Sequence, residues 1–199
     1  MNLVRKLVYG RSIIVVSGLP RSGTSMAMRM LKAGGIETLE DSRRQADEDN
    51  PKGYFELQRV MDLANDPDKS WLKDARGKAI KIISYLLKEL PESNNYKVVL
   101  MERDVREVLA SQSKMLERRS TEDAIEDEKM AANYESLMWR VNYLLKHSRH
   151  MEALRLPYRE VIEKPRYQAD RLREFLSADL DVENMTAAVD PSLYRNRAE

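Results

Sequence analysis

The sequence predicts an α/β fold, with a mainly parallel β-sheet flanked by helices. Short runs of apolar, β-branched residues, such as Ile-Ile-Val-Val at 13–16, read as strands buried on both faces. Longer segments between them repeat apolar residues every three or four positions, as amphipathic helices do. The two kinds of segment alternate along the chain, the order that right-handed crossovers between parallel strands require.

Taken in order, residues 12–17 form the first expected strand. Thr24 to Ala33 reads as a helix, because Met26 and Met30 lie four apart, as do Ala27 and Leu31, and Gly34-Gly35 supplies a C-cap. Residues 37–51 are polar and acidic around Arg43-Arg44 and read as a surface loop. Strands are expected at 79–83 and 96–101, the latter followed by a helix from about 105 to 117. Met130, Tyr134, Leu137, Met138, Val141, Leu144 and Leu145 recur at helical spacing and predict a long helix over about 126–147, which Thr121 can cap. A fourth strand is expected at 153–156. Pro165 suits the first turn of the next helix, with Leu172, Phe175 and Leu176 on its inner side, and residues 181–189 form a last short helix.

The 199 residues suit a single domain over 1–199, without repeats, low-complexity segments or linkers. A hydrophobic fraction of 42% supplies a core, and 34% charged residues supply a solvated surface. The net charge of +1 gives no global field for nucleic acid or an anionic membrane, so neither is an expected partner and any anion site must be local. The chain has no cysteine, which excludes disulfides, thiolate metal sites and cysteine nucleophiles, and fits a reducing cytosol. Arg5, Lys6 and Arg11 precede an apolar run as in a signal peptide. That run is shorter than the roughly 7–15 residues of a secretory h-region. No segment approaches the ~20 apolar residues of a membrane span. The expectation is an untargeted, cytoplasmic protein.

The chemistry begins at Gly18-Leu-Pro-Arg-Ser-Gly-Thr-Ser25, between the first strand and its helix. Gly18 and Gly23 keep the spacing of the Walker A pattern GxxxxGK[ST], but Thr24 stands where the lysine belongs. A loop of this kind turns several backbone N–H groups toward one oxyanion, and the helix dipole adds to them. Ser22, Thr24 and Ser25 add hydroxyl donors. The loop's cation is Arg21, a forked donor suited to phosphate or sulfonate. The Walker lysine reaches the β- and γ-phosphates of a nucleoside triphosphate, so its loss weakens kinase or triphosphatase chemistry.

Pro20-Arg21-Ser22-Gly23-Thr24-Ser25 resembles the 5′-phosphosulfate loop of the sulfotransferase family, Pro-(Lys/Arg)-Ser-Gly-Thr-(Thr/Ser). Arginine at the second position is the form of tyrosylprotein sulfotransferases and many bacterial members. The family's 3′-phosphate motif follows a strand and reads Arg-(Asn/Asp)-Pro-x-(Asp/Glu)-Val, with a serine eight residues after the arginine. Arg103-Asp104-Val105-Arg106-Glu107-Val108 with Ser111 is similar to it, departing at Val105. The resemblance implies a P-loop fold and the donor 3′-phosphoadenosine 5′-phosphosulfate. Arg21, Ser22, Gly23, Thr24 and Ser25 would hold its 5′ side, and Arg103 and Ser111 its 3′-phosphate.

Lys81-Ile82-Ile83-Ser84 resembles the Lys-Thr-His segment of cytosolic sulfotransferases, so Lys81 would touch the transferred sulfuryl group. Ile83 replaces the histidine of that segment. The chain's histidines, His147 and His150, fall at the end of a predicted helix. Asn50-Pro51-Lys52-Gly53-Tyr54-Phe55-Glu56 is similar to a segment of bacterial sulfotransferase-like proteins. Because tyrosylprotein sulfotransferases use a glutamate, Glu56 is the candidate base. Leu154 to Ile162 resembles the family's strand with its Tyr-Glu-Asp-Leu segment. Tyr194-Arg195-Asn196-Arg197 would add donor-binding cations, Arg195 foremost.

The resemblance implies in-line sulfuryl transfer, without a metal, to a hydroxyl or amine of a small-molecule or glycan acceptor. Arg21, Lys81 and the loop amides would stabilise the spreading charge. Two other readings stay open on the residues. One is a P-loop kinase with Arg21 replacing the Walker lysine, although Glu102-Arg103 puts a cation where a metal carboxylate is expected. The other is a non-catalytic nucleotide-binding module.

Overall fold

The structure, a computed structural model, describes residues 3–41, 55–118 and 127–194. Five parallel strands form one sheet in the order β2-β3-β1-β4-β5: β1 Ile13–Gly18, β2 Thr38–Leu39, β3 Ala79–Lys81, β4 Tyr96–Glu102 and β5 Met151–Pro157. The helices are α1 Leu3–Tyr9, α2 Thr24–Ala33, α3 Gln58–Met61, α4 Val105–Arg118, α5 Asp127–His147, α6 Tyr158–Glu163, α7 Pro165–Leu176 and α8 Val182–Ala187.

The apolar run of β1 is continuous because both faces of the sheet are covered. Ile14 and Val16 pack with Val99 and Met101 of β4 beneath α2, α6, α7 and α8. Ile13 and Val15 pack with Val98 and Leu100 on the other face, against α5 and the 3-10 turns Ser70–Ala75 and Ser84–Glu89. The helix expected after the loop occupies Thr24–Ala33, and Gly34 closes it by donating to the Met30 carbonyl at 2.9 Å. Met26, Ala27, Met28, Met30 and Leu31 are all buried, so this helix is covered widely rather than on one stripe.

The structure adds to the expected elements and corrects their bounds. The segment read as a loop at 37–51 contains β2, which pairs with β3 through Thr38↔Ala79 and Leu39↔Ile80. A two-residue strand has no period to detect, and its partner lies forty-one positions away. β3 ends at Lys81, two residues before its expected end. The amide of Ile82 still bonds the Val16 carbonyl at 3.0 Å, but the chain then turns into a 3-10 segment. The fourth expected strand, at 153–156, is β5 at Met151–Pro157. α1 was not anticipated; Arg5 anchors it to the Asn95 side chain at 3.1 Å and to backbone carbonyls at 92 and 94. Arg43-Arg44 and Thr121 lie outside the described residues.

The register decides where chemistry can occur. Val16 pairs with Lys81, and Gly18 with Met101, so β1, β3 and β4 end together. The loops leaving those three strands therefore meet at one end of the sheet, where open parallel sheets bind ligands.

Candidate functional site

The loop from Leu19 to Gly23 leaves β1 and delivers the chain to the first turn of α2. The Ser22 amide donates to the Leu19 carbonyl at 3.2 Å, and the Gly23 carbonyl takes the amides of Met26 and Ala27 at 2.9 and 3.2 Å. Arg21 has φ +66°, unusual for a residue with a side chain. Such a conformation persists only where its surroundings hold it. Two contacts do so. Arg21 Nε donates to Ser111 Oγ at 3.1 Å, and the Arg21 carbonyl accepts from Arg103 Nη1 at 3.0 Å.

Residues picked from two separate stretches of sequence thus meet, Arg21 from the loop with Arg103 and Ser111 from the later motif. Arg103 leaves the end of β4, and Ser111 lies two turns into α4. Gly23 has φ +98°, and a Cβ there would lie 2.4 Å from the Tyr158 ring. No side chain fits at that point. Ser22 is 1% exposed, and its hydroxyl has no partner among the described residues; Thr24 is 8% exposed. Ser25 follows on the first turn of α2.

The Arg103 side chain is 6% exposed and lies 2.9 Å from the carboxylate of Glu107, itself 7% exposed. The guanidinium sits 4.4 Å from the Tyr158 ring centroid and 5.5 Å from that of Tyr194, close enough for cation–π attraction. The two tyrosine rings meet edge to face at 5.2 Å. The Tyr194 hydroxyl donates to Glu107 Oε1 at 2.6 Å. Burial raises the Tyr158 hydroxyl above its ordinary pKa, and the nearby Arg103 charge acts against that. Burial, then the bond to Glu107, raises Tyr194. Arg29 of α2 is lowered by burial, while Asp190 and then Tyr158 act to raise it.

Lys81 and Glu56, which arose from unrelated motifs, also come together. Lys81 Nζ lies 3.7 Å from Glu56 Oε1, with the side chains 13% and 34% exposed. The Glu56 carbonyl accepts from the Asp41 amide at 2.9 Å, which ties this segment to the end of β2. Asn50 to Tyr54 lie outside the described residues, as does Arg195. His150 stands apart at the start of β5, buried against Tyr96 at 5.8 Å between ring centroids.

Glu107, Tyr158 and Tyr194 belong to the site but were not singled out from the sequence. Each had a signal. Glu107 is the carboxylate four after Arg103 in the quoted motif, Tyr158 opens the Tyr-Glu-Asp-Leu-like segment, and Tyr194 precedes Arg195. None of them contributes a basic group, so none of them reads as an anion ligand. Among the described residues, no group of three or more His, Asp or Glu is placed to hold a metal ion, and no helix is long and apolar enough to cross a membrane.

Comparison with known proteins bears on this geometry. Among solved structures, the fold is similar to the sulfotransferase domain from the curacin biosynthetic pathway, with 15% identity over 92% of this chain and 89% of that one, at a TM-score of 0.54. It is similar also to the sulfotransferase domain from the Synechococcus PCC 7002 olefin synthase, with 16% identity over 95% and 89% and a TM-score of 0.53. No curated protein matches the chain. The sequence model of the sulfotransferase domain matches residues 11–197, from the approach to β1 to beyond Tyr194. It spans the phosphate loop, the Arg103–Ser111 segment and the Lys81–Glu56 pair, and the chain belongs to the sulfotransferase domain family, whose chemistry is sulfuryl transfer.

Proposed function

We propose that the protein acts as a single cytoplasmic domain over 1–199. It transfers a sulfuryl group from 3′-phosphoadenosine 5′-phosphosulfate to a hydroxyl or amine of a small-molecule or glycan acceptor. The observation that carries this reading is the meeting of Arg21 with Arg103 and Ser111, two members of one motif that lies 82 and 90 positions further along the chain. A Walker lysine is not needed to account for any of these contacts.

The residues present fit such a donor. Ser22 holds a buried hydroxyl without a partner among the described residues, a donor that a phosphate oxygen would satisfy. The amides of the loop and the N-terminus of α2 would donate to the 5′-phosphate. Ser22, Thr24 and Ser25 would line it, while Arg103 and Ser111 take the 3′-phosphate, with Arg195 as an added cation.

In the transfer step the acceptor oxygen or nitrogen forms a bond to sulfur while the bond from sulfur to the 5′-phosphate oxygen breaks. The acceptor proton passes to Glu56, and adenosine 3′,5′-bisphosphate leaves. Arg21, Lys81 and the loop amides offset the charge that spreads over the sulfuryl and bridging oxygens. The ion pair of Lys81 with Glu56 sets a proton acceptor beside a cation.

Titration calorimetry with adenosine 3′,5′-bisphosphate and with ATP–Mg²⁺ tests the reading. The bisphosphate should bind the more tightly and without magnesium. Tighter, magnesium-dependent ATP binding would instead identify a kinase-like site. A bound donor with no transfer to any of a panel of hydroxyl and amine acceptors would leave a binding module.

A further inference from the structure

A continuous series of hydrogen bonds links Tyr194 to the phosphate loop. Tyr194 Oη donates to Glu107 Oε1 at 2.6 Å, and Glu107 Oε2 accepts from Arg103 Nε at 2.9 Å. Arg103 Nη1 donates to the Arg21 carbonyl at 3.0 Å, and Arg21 Nε donates to Ser111 Oγ at 3.1 Å. Tyr194 is 9% and Ser111 6% exposed, so the series runs through a region where water screens little. Arg103 therefore presents itself to any ligand as half of a neutral pair, not as a net cation. The carboxylate sits four residues after Arg103, in the first turn of α4, within reach of the guanidinium it bonds.

We propose that Glu107 is a specificity-determining residue for the donor. By neutralising Arg103 it sets how strongly the site takes a 3′-phosphate, and the Tyr194 hydroxyl tempers that carboxylate. This rests on the donor reading above, in which Arg103 meets the 3′-phosphate. A buried arginine alone would attract a phosphate dianion as a full charge. The same arginine beside a carboxylate offers directed N–H donors, with its net attraction largely cancelled. The carboxylate thus holds down the affinity for the donor and for the bisphosphate product together, which share the 3′-phosphate. Ligands lacking that group are left nearly unaffected.

The sign of the effect separates this role from a merely structural one. A carboxylate that only holds the site in shape would, when removed, weaken every nucleotide. A carboxylate that offsets Arg103 would, when neutralised, tighten only those with a 3′-phosphate. Glu107→Gln keeps the shape and a hydrogen-bond acceptor while removing the charge. Adenosine 3′,5′-bisphosphate and adenosine 5′-monophosphate are titrated calorimetrically against the wild type and this variant, with melting followed in parallel. The bisphosphate is expected to bind Glu107→Gln about tenfold more tightly than the wild type, and the monophosphate within about twofold of it. The bisphosphate should also raise the melting temperature of the variant more than that of the wild type, because it supplies the missing counter-charge.

Unchanged or weaker bisphosphate binding by folded Glu107→Gln overturns the proposal. Tyr194→Phe is a second variant with the opposite sign. Without the donated hydrogen bond the carboxylate acts more fully on Arg103, and bisphosphate affinity should fall by about two- to threefold. If Glu107→Gln does not fold, Tyr194→Phe decides, and equal or tighter binding there overturns the proposal. A wild-type protein that binds the bisphosphate no more tightly than the monophosphate is a separate result: it removes the donor reading itself.

Discussion

Substituting Gly23 by alanine tests whether the phosphate loop and its tyrosine support are one packed unit. Gly23 has φ +98°, and an added Cβ would meet the Tyr158 ring at 2.4 and 2.8 Å and the Met101 methyl at 3.3 Å. Contacts under 3 Å cannot persist, so the ring or the loop must shift. Gly35 is the natural control, since it has φ +96° but an added Cβ there meets no described atom within 4 Å. Gly35→Ala reports the cost of the backbone conformation alone, about 1–2 kcal/mol. Gly23→Ala carries the same cost plus that of displacing a packed ring, about 1–3 kcal/mol for an overfilled site. For a chain of this size each kcal/mol lowers the melting temperature by about 2–4 °C. The expected order is therefore a loss of about 2–8 °C for Gly35→Ala and a further ~2–12 °C for Gly23→Ala. Calorimetric melting and urea denaturation measure both. Losses equal within about 0.5 kcal/mol would refute close packing of Tyr158 on the loop, because the backbone cost is shared and the neighbouring ring is not.

Three further outcomes are expected. Arg103→Ala should weaken adenosine 3′,5′-bisphosphate by about 10- to 100-fold, the loss of charge-assisted bonds to a phosphate, and weaken adenosine 5′-phosphosulfate far less. Equal losses in calorimetry would show that Arg103 acts through the Arg21 carbonyl and not on the 3′-phosphate. Glu56→Gln should lower turnover by about 10²- to 10⁴-fold while donor affinity stays within about twofold. Unchanged turnover in a transfer assay removes Glu56 as the base. Burial lowers the pKa of His150, against the weaker opposing effect of Glu92. The unfolded chain then takes up this proton first as pH falls, so stability is full above about pH 6.5 and declines below it, by at most about 1.4 kcal/mol per pH unit. Melting between pH 7.5 and 5.5 should show that decline, and His150→Gln should flatten it. Parallel profiles for the two proteins would show that His150 does not carry it.

Much of the sheet was readable because its central strands are buried on both faces. Ile13 to Val16 are apolar throughout, as are Val98 to Met101, and a continuous apolar run between turn residues stands out in a sequence. α2 and α5 were readable for a related reason: a helix packed on a sheet repeats its inner residues every three or four positions. β2 was not, since Thr38 and Leu39 form a strand only through their pairing with Ala79 and Ile80. The glycine spacing of the loop after β1 was legible because a tight strand-to-helix turn takes small residues at fixed points, Gly23 with φ +98° among them. The neighbours of Arg103 were not, because Tyr158 and Tyr194 reach it from β5's far end and from beyond α8, and a tyrosine in a sequence does not show which cation it covers.

By itself the sequence determined the alternation of strands and helices, and a glycine-bounded turn between β1 and α2 with Arg21 inside it. It did so because those properties are local: side-chain period and turn chemistry. Only the tertiary structure decided that Lys81 would face Glu56 at 3.7 Å, and that Arg103 would be buried as an ion pair with Glu107 beneath two tyrosine rings. Those relations depend on the register of β1 with β3 and β4 and on how α6 and the segment after α8 bring Tyr158 and Tyr194 against Arg103. Such placements emerge from the packing of distant segments and are written at no single position.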